Sequence, residues 1–94
     1  MARLNKSARG KHRWIGFKAV QELRREELIE LLSSTIDGNN WKLFDVVRRE
    51  KMTLAILKTP LEKYPHTLAQ INKSPSLETL TSSGKINLVR ARIL

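Results

Sequence analysis

The 94-residue chain contains no cysteine, which excludes disulfides, thiolate metal sites and cysteine nucleophiles and fits a reducing compartment. Its two histidines, His12 and His66, stand far apart, a poor start for a metal site. No window approaches the roughly 20 consecutive apolar residues a membrane helix requires, and the basic N-terminus lacks the apolar core of a signal peptide. A soluble, cytoplasmic protein without membrane contact is expected. There is no GxxxxGKS/T, no GxGxxG and no acidic pair at metal-binding spacing, so phosphate-loop and dinucleotide chemistry have no support. Ser, His and Asp occur, but none in a nucleophile-elbow context. No catalytic residue, bound cofactor or metal ligand is therefore expected in the protein itself.

Acidic residues are missing from both ends. Residues 1–18 carry six Lys/Arg (Arg3, Lys6, Arg9, Lys11, Arg13, Lys18) and no acid, and residues 79–94 carry Lys85, Arg90 and Arg92, again with no acid. The middle of the chain holds nine basic and nine acidic side chains, so the whole net charge of +9 lies at the two ends. Clustering of one sign raises the local potential, and the polyanion such a patch meets in a cell is most often nucleic acid. The bland reading is a basic tail plus a fortuitously basic last strand.

Ninety-four residues make one domain with room for one modest core. MARLNKSARG, residues 1–10, reads as a flexible basic arm and residues 11–94 as the domain. In the first run, Ile15, Phe17 and Ala19 alternate with Trp14, Gly16, Lys18 and Val20, as in a central strand apolar on both faces. LRREELIELLSSTI changes to helical spacing, with Leu28, Ile29, Leu31, Leu32 and Ile36 on a stripe and Glu26, Glu27 and Glu30 early; DGNN ends it. WKLFDVVRRE and MTLAILKT read as a hairpin turning at Glu50 and Lys51. Thr59 as N-cap, Pro60 at the first helical position and Glu62 at the capping-box position predict a second helix, kinked or delayed by Pro65 and closed by NKSPS. In LETLTSSGKINLVRARIL, an extended segment and a Ser-Ser-Gly turn precede a last strand, in which Ile86, Leu88, Arg90 and Arg92 alternate with Asn87, Val89, Ala91 and Ile93.

The expected fold is thus α/β (α+β): a ferredoxin-like or RRM-like βαββαβ domain, with a four-stranded antiparallel sheet and two helices on one face. In that topology the first and fourth strands are neighbours, which merges the two charge clusters into one patch. Candidate nucleic-acid contacts are Lys6, Arg9, Lys11, His12, Arg13, Trp14, Lys18, Lys85, Arg90 and Arg92. Two placements of Trp14 stay open: facing outward beside Lys18 as a stacking and phosphate pair, or packed at an edge or against a protein. The glycine and aromatic pattern used by RNA-recognition motifs to stack bases is missing from MTLAILKT, so phosphates and helix shape are the expected targets. Trp41 reads as core or rim packing and His66 as solvated. Arg24, Arg25, Arg48 and Arg49 read as solvated or locally paired with nearby acids. Apolar surface left open on the sheet would need a partner, with an oligomer through that face as one outcome.

Taken in order, HRWIGFKAV, REELIELL, LAILKTP and SSGKINLVRARIL resemble the small RRM-like protein subunit of archaeal and eukaryotic ribonuclease P. The resemblance covers residues 11–94 and contains no catalytic signature. It implies a non-catalytic protein cofactor of a ribozyme that removes the 5′ leader from precursor tRNA. Its implied partners are ribonuclease P RNA, precursor tRNA in the complex and a TIM-barrel-like protein subunit, with Mg²⁺ belonging to the RNA. Carried over by position, it makes Lys11, Arg13, Lys18, Lys85, Arg90 and Arg92 RNA contacts. A small basic ribosomal protein is the alternative among RNA binders, and a ferredoxin-like protein-interaction module the alternative of another class.

Overall fold

A computed structural model describes residues 12–38 and 40–94. The elements run β1 (His12–Ala19), α1 (Arg25–Thr35), β2 (Lys42–Arg49), β3 (Met52–Pro60), a 3-10 turn (Leu61–Lys63), α2 (Tyr64–Lys73), β4 (Leu77–Ser83) and α3 (Ile86–Ile93). They form a small α+β domain with one antiparallel four-stranded sheet, ordered β2-β3-β1-β4, and three helices. The expected arm, residues 1–10, lies outside the described residues, as do Lys6, Arg9, Lys11 and Asn39.

β1 is central, as its two apolar faces require, between β3 and β4. Ile15, Phe17 and Ala19 point into the main core with Ala55 and Leu57 of β3, Leu28, Leu32 and Ile36 from α1 and its C-terminal end, and Ile71 of α2. The α1 stripe is narrower than its sequence implies, because Ile29 is exposed. Gly38, at φ +74°, supplies the left-handed turn that ends this segment. Thr53, fully buried in β3, accepts a hydrogen bond from the Leu23 amide (2.7 Å) and donates one to the Gln21 carbonyl (2.8 Å), fixing the β1–α1 connection.

Four expectations are corrected. The last segment is a helix, not a strand: β4 is Leu77–Ser83, and residues 86–93 coil back as α3. The two-helix, one-faced layout therefore gives way to three helices, with α3 on the face opposite α1 and α2, over Gly16. Thr59 is not an N-cap. β3 continues to Pro60 because it pairs with β1 through Arg13↔Thr59 and His12↔Pro60, and Thr59 hydrogen-bonds Thr67 in the interior at 3.2 Å. The helix starts at Tyr64, so Pro65 falls in its first turn, where a missing amide proton costs nothing. Arg25 is not paired with acids. Its guanidinium donates to the backbone carbonyls of Leu43 (2.6 Å) and Phe44 (2.9 Å), satisfying part of the β2 sheet edge.

At the start of α1, the Arg24 amide donates to the Glu27 carboxylate at 2.8 Å. This bond is the main cause holding the Glu27 carboxyl below its ordinary range, with the Arg24 charge adding to it. An arginine side chain has no acceptor and cannot return the bond as a serine or threonine cap would. Because the folded-state pKa is lowered, the stabilisation is present above the ordinary glutamate value of about 4.3 and is lost as pH falls through the lowered folded value. Glu27→Gln is expected to lower Tm at pH 7, and the gap to wild type should narrow as pH falls through the lowered folded value, measured by thermal melts across a descending pH series.

Candidate nucleic-acid interface

Two faces of one sheet carry different chemistry, and the strand register shows how. On the face away from α1 and α2, cross-strand partners form rows. One row runs Ser83, Trp14, Lys58, Lys42 from β4 to β2; the next runs Thr81, Gly16, Ile56, Asp45. With strands spaced about 4.8 Å apart, each row spans about 14 Å.

The second row is covered by α3. Gly16 has no side chain, and a Cβ there would lie 2.8 Å from Val89 Cγ1 and 2.9 Å from Ile93 Cδ1. Val89 and Ile56 are fully buried. Arginines tie α3 to both ends of this row. Arg90 binds Asp45 on β2 through Nε (2.6 Å) and Nη2 (3.3 Å), and Arg92 Nη1 donates to Thr81 on β4 (2.9 Å) and to the Ser82 carbonyl (3.3 Å). The Asp45 bond also holds the Arg90 guanidinium above its already high ordinary pKa. Asp45 reaches this face because a β-bulge interrupts β2 between Leu43 and Asp45. Strict alternation would have turned Asp45 inward.

The first row is not covered by α3 or any other helix among the described residues and holds a half-exposed aromatic and basic cluster. The Trp14 and Phe44 rings meet edge to face with centroids 4.7 Å apart. Lys58 Nζ stands 5.7 Å from both rings, and Lys42 Nζ stands 5.6 Å from the Phe44 ring. Neither lysine forms an ion pair among the described residues. Cations this close to ring faces gain electrostatically from the aromatic quadrupole. They also keep their charge available to a phosphate.

The candidate contacts named from sequence are therefore divided. Trp14 faces outward, and His12 and Lys18 follow the same alternation on β1. Lys18 is joined to Glu78 at 3.5 Å. Arg13 lies on the other face, its guanidinium 5.1 Å over the Tyr64 ring and its Nε buried without a hydrogen-bond partner among the described residues. Lys85 is exposed at the start of α3. Arg90 and Arg92 sit on a helix and hold it in place, so the expected basic strand does not form. Sequence reading missed Lys42, Phe44 and Lys58. The available signal was alternation: Leu57 and Leu43 face the core, which turns Lys58, Lys42 and Phe44 outward.

Elsewhere, Trp41 packs against the core, as its position implied, with its indole Nε1 buried and without a hydrogen-bond partner among the described residues. His66 is exposed and lies 3.3 Å from Asp37. Among the described residues, no group of three or more His, Cys, Asp or Glu side chains could hold a metal ion, and no helix is long and apolar enough to cross a membrane. No family model, curated protein or solved structure matches the chain.

Proposed function

We propose that the protein is a non-catalytic RNA-binding subunit of a ribonucleoprotein of the ribonuclease P kind. In this reading, a ferredoxin-like βαββαβ core, extended by α3, presents a cationic surface to structured RNA. The observation that carries the RNA reading is the cluster of Trp14, Phe44, Lys42 and Lys58 on the solvent side of the sheet. Two lysines that form no ion pair among the described residues gather over two rings, and a polyanion with flat bases is served by both. The net charge of +9 points the same way.

The ribonuclease P assignment rests on the ordered resemblance of HRWIGFKAV, REELIELL and LAILKTP. The final segment contributes less, because its basic residues lie on α3 rather than on a strand. In this proposal the RNA performs the cleavage with its own Mg²⁺, and a TIM-barrel-like subunit and precursor tRNA complete the complex.

Capture of the tagged protein from cell extract at moderate salt, followed by sequencing of the retained RNA, tests the assignment. One dominant non-ribosomal RNA, in material that trims precursor tRNA, is the expected result. Stoichiometric ribosomal RNA would replace the assignment with a ribosomal protein, to which a basic N-terminal segment is equally suited. Capture of a protein with no RNA would replace it with an interaction module.

A further inference from the structure

We propose that the Trp14–Phe44 cluster is a stacking site for one or two unpaired nucleotides, so that the protein grips a single-stranded element within its RNA. This rests on the RNA-binding reading above and adds to it the state of the nucleic acid bound.

Geometry sets both the chemistry and the size of the site. An edge-to-face ring pair uses one ring face in its own contact, whereas a stacked pair would use two. The half-buried Trp14 and Phe44 keep ring surface in solvent, and where Lys58 and Lys42 lie over a face the cover is the end of a flexible side chain that a base can displace. Base stacking on aromatic side chains tolerates any sequence, since every base has a flat face. Lys58, 5.7 Å from both rings, and Lys42, 5.6 Å from Phe44, are placed to meet the phosphates flanking a stacked base. A regular duplex keeps its bases within the helix, so it could use the lysines but not the rings.

The site is short because α3 closes the face next to it. Gly16 lies two residues beyond Trp14 on β1, about 7 Å at strand rise, and is already under Val89 and Ile93. A strand of RNA cannot continue across the sheet in that direction while α3 is tied to Asp45 and Thr81. On the described part of the row, two aromatic rings offer faces to bases, Trp14 and Phe44. The free row thus accommodates one or two nucleotides, not a long single strand.

The test uses the full chain, a fluorescein-labelled 12-nucleotide oligouridylate and a blunt 12-base-pair RNA duplex. Trp14→Ala and Phe44→Ala are each expected to weaken oligouridylate binding about 5- to 140-fold, the range of one lost base stack. Duplex affinity should stay within about twofold of wild type, since the lysines remain. Trp14→Phe keeps a stacking surface and is expected to retain most of the oligouridylate affinity. Should an alanine variant fail to fold, Trp14 emission in a Trp41→Phe background gives a second reading: oligouridylate should quench it and the duplex should not. Unchanged oligouridylate affinity in both alanine variants, equal losses for both RNAs, or binding without quenching would each overturn the stacking site while leaving RNA binding in place. If the wild-type protein bound neither RNA, the broader reading would fall as well.

Discussion

Phe17→Ala is expected to destabilise the domain by about 3–5 kcal/mol, the largest loss from any single side-chain truncation considered for this chain. Phe17 is fully buried on the central strand, in the core cluster between the sheet and helices α1 and α2. Removing its ring forfeits the transfer energy of the ring and leaves a cavity that a close-packed interior fills only in part. Domains of this size have total stabilities of about 5–15 kcal/mol, so the variant should be marginal. Urea denaturation should show a large drop in midpoint with little change in slope. Lys18→Ala is the milder comparison on the same strand, since it removes a part-exposed ion pair with Glu78 and the packing of a lysine stem but leaves the core intact; a change of about 1 kcal/mol is expected.

Gly16→Val, one residue away, should damage a different layer. Its Cβ would fall within 3 Å of Val89 and Ile93, both on α3, and 3.3 Å from Thr81 Cγ2. Valine suits a strand, but that preference is worth at most about 1 kcal/mol, while overpacking costs about 1–3 kcal/mol. The clash wins, and the cheapest relief is for α3 to lift. An eight-residue helix has little stability alone, since isolated helices shorter than about 12–15 residues are marginal in water. Undocked, it should unravel. Hydrogen exchange should show protection lost across residues 86–93 and kept in β1 and β3. Unchanged protection of 86–93 would mean that α3 does not rest on Gly16.

The contrast between these neighbours shows what could be read from sequence. Alternation along β1 places Phe17 inward and Gly16 outward, and the apolar character of both faces marks the strand as central. What covers the outward face was hidden in an ambiguous segment. KINLVRARIL alternates with period two, but Ile86, Val89 and Ile93 also stand at i, i+3 and i+7, the spacing of a helical stripe. Short runs satisfy both templates, and tertiary supply decides between them. LETLTSS already furnishes the strand beside β1, which leaves the segment free to coil over the sheet, with Val89 buried and Leu88 exposed.

Charge was legible in amount but not in use. The excess at the chain ends is plain from composition, yet Arg90 meets an aspartate 45 positions away, brought outward by a bulge that no residue pattern announces. Arg13 sits on the far side of the sheet, over Tyr64. The lysines that stand over aromatic rings, with no ion pair among the described residues, come from the electrically balanced middle of the chain. Overall charge raises the expectation of a polyanionic partner, while the register of the sheet decides which lysines stand on the open row.

In the proposed RNA-binding reading, Lys42 and Lys58 hold phosphates on the open row of the sheet. The most direct test of that reading is the salt dependence of binding to a structured RNA, measured for the wild type and for Lys42→Ala/Lys58→Ala. The account predicts that the wild-type association constant falls steeply with salt. The double variant should bind more weakly, with a slope flatter by about 0.7–0.9 per lysine removed. Equal affinity and equal slope for the two proteins would contradict it.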